Sequence, residues 1–520
     1  MSGRGRMDRR GFLKITGGVS VVALGGRSAA AGAARRGQER PRVRIWSPGD
    51  NGTVADWNRD PILAAVEEAT GVEIELTKIG FDTYLDQINA AIASGEVPDI
   101  IATVDHGQRT VIGQMVRDGV VAPFTGDIAA AAPNVLAQYQ ANPTLEELKI
   151  DGEIYMKPVS WADDNGPGFG IIHVRKDKLD AYGLEPPDTF EQYFAFLKAA
   201  KEDGSTGVVF GAGGEGGLGG AVEAFTGAYG VPAGGWVRTD GGWGFWAVQP
   251  GVRDGLLLFR RMVAEELVDP ASWEITDSPR DTYVAGRPYS MIWNGGGHVG
   301  RIQNDMDLAG VGAQEWTLAA PDAGAGSRGY LTVPSFFGGT FLGNLEGNDP
   351  VAAATVINFL SSEEGYKLTA LGLPDRDYEE RDGQITLLPG RAADGFPTEA
   401  GDTGAHPLAS AIVSWVPQEW QDFALLYGKD EAFATWYGDM WDNQRQYLLE
   451  SFGQLTATPA WSDFQSTSTE LVTRGFLEIV RSGDEAEAGA RFDEFVTAWR
   501  GAGGDEAQSE MSEALTGLYG

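Results

Sequence analysis

Between residues 43 and 102 the chain alternates between short apolar runs and amphipathic stretches, and this restricts the fold more than any other feature. Residues 43–46 (VRIW) read as a strand ending at Ser47-Pro48-Gly49. Asp60-Pro61 is a helix start, because an aspartate caps free N–H groups and a proline has its φ preset for the first helical position. Ile62, Leu63, Val66 and Ala69 then share one face, and Gly71 ends the helix. Residues 72–79 alternate as a strand. A helix over residues 82–94 carries Leu85, Ile88, Ala91 and Ile92 on one side and stops at Gly95. Residues 98–102 (PDIIA) form a buried strand that leads to the turn Asp105-His106-Gly107. Such β-α-β-α-β order predicts an α/β fold with a mainly parallel sheet and helices on both faces.

A second α/β body is expected after residue 162. Residues 155–164 lead through a proline-bounded stretch to Trp161, Asp163 and Asp164, and a loop with Gly166, Pro167 and Gly168 follows. Residues 169–174 then read as a strand, closed by Arg175-Lys176-Asp177. Thr189 and Gln192 make a capping box for a helix whose inner face is Phe190, Phe194 and Leu197. Residues 208–210 and 289–293 read as strands, and residues 236–246 as a glycine-rich hairpin with its turn at Asp240-Gly241-Gly242. Residues 333–342 look like a return strand, and Asp349-Pro350 opens another capped helix. A hairpin is expected with its turn at Asp382-Gly383. The last part reads as helical, with periodic stretches at 471–480 and 492–499 joined across Ser482-Gly483-Asp484. The chain thus leaves one lobe, crosses a hinge and founds a second, which places Trp161 and its acids at the mouth of the cleft between them.

At 520 residues the chain is too long for one core. Its net charge of -34 argues against nucleic acid, which needs a basic track to release counterions, and against docking on anionic lipid. With no cysteine there can be no disulfide, thiolate zinc site, iron–sulfur cluster or lipid-modified cysteine. Residues 1–34 read as a twin-arginine signal peptide: Arg9-Arg10-Gly11-Phe12-Leu13-Lys14, a modest apolar run, and small residues near Ala29 to Ala34 for cleavage. Residues 35–40 read as a basic linker, and no later stretch looks membrane-spanning. Export to the periplasm or cell exterior, without a lipid anchor, is the expectation.

Several motifs, in order, carry a family resemblance. Gly95-Glu96-Val97-Pro98-Asp99-Ile100 resembles a "G-x-x-P-D-I" strand entry. Val174-Arg175-Lys176-Asp177-Lys178-Leu179 with Gly183-Leu184 resembles "R-K-D-W-L-x-x-x-G-L". Pro186-Pro187-Asp188-Thr189-Phe190-Glu191 resembles the "P-x-T-x-E-E" helix start, and Phe359-Leu360-Ser361-Ser362-Glu363-Glu364-Gly365 resembles "F-L-x-S-x-E-G". Phe492-Asp493-Glu494-Phe495 to Gly503-Gly504 resembles a final helix. The chain is similar to extracellular solute-binding proteins of ABC carbohydrate importers, within the long subfamily that binds oligosaccharides and alginate fragments. The resemblance implies a two-lobed periplasmic-binding-protein-like fold that closes by a hinge. Residues 41–162 with 333–375 would form the first lobe, and 163–332 with 376–520 the second. It also implies a permease and its ATPase as partners of a monomeric, non-enzymatic protein. Alginate-binding relatives hold calcium after the long helix of the second lobe. Here that place reads Glu202-Asp203-Gly204-Ser205-Thr206-Gly207, which lacks most such ligands, so no cofactor is expected and calcium is the minor reading.

Sugar rings have apolar faces and a rim of hydroxyls, so a site for them needs flat aromatics beside carboxylates or amides. Strand ends and adjoining loops supply such groups at Trp161 with Asp163 and Asp164, Trp293 with Asn294, Trp46 with Asp50, and Asp105 with His106. Trp236, in the glycine-rich hairpin, is a further candidate, with core as its competing place. Gly211 to Gly216 fits G-x-G-x-x-G, but no second strand with a ribose-binding acid follows. The histidines His106, His173, His298 and His406 are scattered and form no zinc motif. Two other readings stay open: a peptide-binding importer protein, and a secreted glycosidase or polysaccharide lyase using Asp163 and Asp105 as acid and base.

Overall fold

The structure is a computed structural model. It describes residues 40–520 except 49–57, 59, 106–108, 142, 160–169, 212–217, 219, 276–277, 296–297, 333–337, 382–383, 389–430, 454–455 and 457. The expected signal peptide, most of the expected linker and most of the glycine motif at 211–216 lie outside the described residues.

Strand β1 (Arg42–Pro48) buries Val43 and Ile45 and exposes Arg42 and Arg44, the period-two pattern of a half-covered strand. The next helix (Pro61–Thr70) begins as its sequence demands, with the Asp60 carboxylate accepting from the N–H of Ile62 and Gly71 closing it in the left-handed region at φ 72°. β2 (Glu73–Ile79), the helix Phe81–Ser94 and β3 (Ile100–Asp105) complete the expected unit, and β1 pairs in parallel with both neighbours. Two further strands join this sheet: β4 (Met156–Val159) and, from much later in the chain, the return strand.

The second sheet uses β5 (Ile171–Arg175), β6 (Val208–Val209), β9 (Ser290–Trp293) and β10 (Glu315–Thr317), in the order β10-β5-β9-β6. Between them β7 (Trp236–Thr239) and β8 (Gly242–Phe245) pair as the expected hairpin. Gly170, just before β5, has φ 75°, and a Cβ there would collide with the Ala224 amide and the Glu223 side chain. The helix Phe190–Glu202 carries the complete Thr189/Gln192 capping box.

β11 (Tyr330–Thr332) leads through residues 333–337 to the return strand β12 (Gly338–Leu342), whose first expected residues thus lie outside the described ones. β12 lies antiparallel between β3 and β4, giving the order β2-β1-β3-β12-β4. The sheet is therefore parallel at one side and mixed at the other. Buried Asp99 fastens the return: its carboxylate accepts from the Arg44 N–H (2.7 Å), the Asn348 amide (3.1 Å) and the Asp349 N–H (3.0 Å). The helix Pro350–Leu360 follows, capped by Asp349. β13 (Tyr378–Arg381) and β14 (Gln384–Leu387) pair across positions 382–383.

β15 (Leu448–Glu450) pairs in parallel with β11. Three helices end the chain, Pro459–Val480, Glu485–Trp499 and Asp505–Tyr519; the third lies beyond the helix expected to be last. The two sheets have separate hydrophobic cores that share no residue, the physical content of a two-lobed chain. Trp236 corrects one expectation. It is fully buried in the second core, edge-on to Trp461 at 5.3 Å, and offers no open face to a ligand.

Candidate functional site

β1, β2, β3 and β4 all run in one direction and end at one edge of the first sheet, and β12 begins there. The register aligns Asp105 with Gly338 and Gly338 with Val159. At strand spacing this puts the ends of β3 and β4 about 10 Å apart. The sequences that follow Pro48, Asp105 and Val159 carry Asp50, His106, and Trp161 with Asp163 and Asp164. These five residues lie outside the described residues, as does the side chain of Asp105. Trp46, in β1, is half-buried against the first core. The buried Tyr84 hydroxyl lies 3.0 Å from its carbonyl and 2.6 Å from that of Ala102, and so ties β1 to β3.

Two features near this edge depart from an ordinary strand. Thr103 has φ 49°, a left-handed value that a β-branched residue rarely takes. The β3–β12 register shifts between Gly339 and Phe341, and the Thr103 N–H donates to the Thr340 hydroxyl at 3.2 Å. A bulge of this kind bends its strand and increases the local twist. Lys157 is fully buried opposite Thr340, with its ammonium 3.1 Å from the Pro158 carbonyl. Burial pushes its pKa down to about 7.

In the second sheet β9, β6 and β10 end at a common edge, where β5 begins, and Trp293 pairs with Ile171. Trp293 is half-buried against a cluster of Val209, Tyr283 and Met291. Asn294 follows it, half-buried, and its carbonyl accepts from His173 Nε2 at 2.9 Å. At Gly295 any Cβ would collide with Gln444 and with Ile171. Gln444 belongs to the helix Glu431–Arg445, which docks on this edge: Asn443 donates to the Thr317 carbonyl at 3.0 Å and Gln444 to its hydroxyl at 3.4 Å.

The sequence reading missed this helix as a builder of the site. Its signal was the helical spacing of Tyr437, Met440, Trp441 and Gln444. Half-buried Trp441 carries the Arg445 guanidinium 4.3 Å over its ring.

The chain passes from Val159, at the carboxyl edge of the first sheet, to Ile171, at the matching edge of the second, through residues 160–170. In open α/β sheets such edges are where ligands bind.

Among the described residues no group of three or more His, Asp or Glu is arranged to hold a metal. In the 202–207 loop the side chains of Asp203, Ser205 and Thr206 are engaged by the protein itself. Asp203 accepts from Lys178 (2.7 Å) and Tyr182 (2.9 Å), Ser205 accepts from the Tyr289 N–H (3.1 Å), and Thr206 donates to Asp269. Among the described residues no helix is long and apolar enough to cross a membrane.

Comparison with known proteins accords with this geometry. Residues 52–367 match the model of the bacterial extracellular solute-binding protein family. Lipoprotein LipO of Bacillus subtilis (strain 168) is 25% identical over 375 residues, which is 64% of this chain and 66% of that protein, just under two thirds of its length. The polygalacturonan/rhamnogalacturonan-binding protein YtcQ of the same organism is 28% identical over 150 residues, 28% of each chain. Among solved structures, the alginate-binding protein AlgQ2 without calcium ion superposes with a TM-score of 0.70 at 18% identity, covering 92% of this chain and 98% of that one. An ABC-transporter-associated solute-binding protein from Bifidobacterium longum infantis, described as HMO-binding, gives 0.67 at 16% identity, covering 92% and 98%. These likenesses agree in fold, and the family match spans more than half of the sequence. The chain belongs to the bacterial extracellular solute-binding proteins, a family of binders and not of enzymes.

Proposed function

We propose that this protein captures an oligosaccharide between two lobes and delivers it to the permease and ATPase of an ABC importer. One observation carries the reading: the crossing segment 160–170 joins the carboxyl edges of both sheets, and a half-buried tryptophan stands in each sheet, Trp293 as the last residue of β9 and Trp46 two residues before the end of β1. Aromatic faces on both lobes can sandwich a sugar ring, and Asn294, Asp50, Asp105, His106, Asp163 and Asp164 supply groups for its hydroxyls. Trp161 lies in the crossing segment and is the central stacking residue of this proposal.

The lobes are residues 41–162 with 333–375, and 163–332 with 376–520 apart from the hairpin at 378–387. The hairpin β13–β14 goes with the first of them. Its Tyr378 lines a cavity of about 560 Å³ together with Ala65, Ala69, Phe359 and Leu368. Export by the twin-arginine route, from Arg9-Arg10, completes the proposal. Sugar-binding relatives and neighbours, YtcQ and AlgQ2 among them, support an oligosaccharide over a peptide.

The test is a thermal-shift panel of mono- and oligosaccharides with peptides as controls. A ligand that prefers the folded state raises the melting temperature by mass action. The expected result is a shift with one class of oligosaccharide and no new reducing ends. A shift with peptides alone, or release of reducing ends, defeats the proposal.

A further inference from the structure

A buried polar cluster lies directly behind the end of β9. His173 of β5, Glu315 of β10 and Tyr283 are each completely inaccessible. His173 Nδ1 meets Glu315 Oε1 at 2.6 Å, and the Tyr283 hydroxyl donates to Glu315 Oε2 at 2.9 Å. The second ring nitrogen, Nε2, reaches the Asn294 carbonyl at 2.9 Å. A carbonyl can only accept, so Nε2 carries a hydrogen and the imidazole joins the carboxylate to the backbone of Asn294. Burying a carboxylate is expensive, and apolar residues of similar volume hold such a place at least as well. The neighbours Val209, Met291, Ile302 and Met306 are apolar, so packing alone does not call for this cluster.

We propose that His173 is a positioning residue. Gripped by Glu315 and Tyr283, it fixes the Asn294 carbonyl and thereby sets the side chains of Trp293 and Asn294 in the orientation that receives a sugar. Gln444, pressed on Gly295, holds the same turn from its other side. The inference rests on the reading of this edge as part of the sugar site.

Removing His173 alone would leave a buried carboxylate without its partner and endanger folding. The test therefore uses two matched pairs in the full chain. His173→Leu with Glu315→Leu replaces the cluster by apolar groups. His173→Gln with Glu315→Gln is neutral and keeps an amide donor within reach of the Asn294 carbonyl. Amide hydrogen exchange across residues 293–295, measured without ligand, is expected to rise at least ten-fold in the leucine pair and to return toward the parent in the glutamine pair. Titration with kestose, maltotetraose and an alginate oligosaccharide, using whichever binds the parent, is expected to show at least ten-fold weaker binding for the leucine pair and near-parent binding for the glutamine pair. Unchanged exchange in a folded leucine pair, or unchanged affinity, overturns the positioning role. Trp293→Ala is the separate control: parent-like affinity in that variant overturns the sugar-site reading itself, whatever the exchange data give.

Discussion

Gln444 packs so closely on Gly295 that no side chain fits between them. One residue lies in the last turn of helix 431–445 and the other follows the strand that carries Trp293, so this contact helps to set how that helix meets the second sheet. We expect Gly295→Ala to destabilise the protein by about 1–3 kcal/mol, the usual cost of forcing a methyl group into filled space. Chemical denaturation with an unchanged m-value checks it, and a parent-like midpoint would show that the helix yields freely.

Two tryptophans should respond in opposite ways. Trp236 is fully enclosed, with Phe245 at 5.5 Å and Trp461 at 5.3 Å, so Trp236→Ala should cost about 3–5 kcal/mol. Trp293 is half-buried at a strand end, so Trp293→Ala should keep most of the stability and lose at least ten-fold in oligosaccharide affinity. Trp161→Ala should behave like Trp293→Ala. Paired melting and titration curves decide both.

Lys157 makes stability depend on pH. Its folded pKa is depressed to about 7 from 10.5, so between those values the unfolded chain binds more protons than the folded one. The penalty is fully present below pH 7 and is relieved as pH rises toward 10.5. Lys157→Met should therefore melt higher than the parent at pH 7, with the gap narrowing toward pH 10. A gap that stays constant over that range would show that Lys157 is not the titrating group.

Asp99 accepts three donors from β1 and from the turn after β12. Asp99→Ala removes the acceptor of these part-buried donors, of which the Asn348 amide keeps the Val97 carbonyl as a second acceptor, and should cost about 2 kcal/mol. Denaturant titration measures this, and a loss under about 1 kcal/mol would mean that water replaces the carboxylate.

Local chemistry was legible in the sequence wherever a residue acts on its own neighbours. Asp60 before Pro61, Thr189 with Gln192 and Asp349 before Pro350 each cap the helix expected of them, and Gly71 and Gly95 end theirs. The sheet order was not legible, because nothing in residues 338–342 names β3 and β4 as partners. Trp236 misled for a related reason: a glycine-rich hairpin looks alike whether it lines a cleft or caps a core. His173 read as one of four scattered histidines, since Glu315 and the Asn294 carbonyl come to it only through β9 and β10. The final helix Asp505–Tyr519 escaped notice because only Ala507, Met511 and Leu515 mark its buried face.

The slot between β3 and β4 is filled by residues made long after both. During synthesis the amino-terminal half of the molecule waits with an open seam, two unsatisfied strand margins facing each other, until most of the opposite half exists. Contacts of such long sequence separation favour slow maturation, and they leave the newborn chain dependent on protection from sticking to its neighbours.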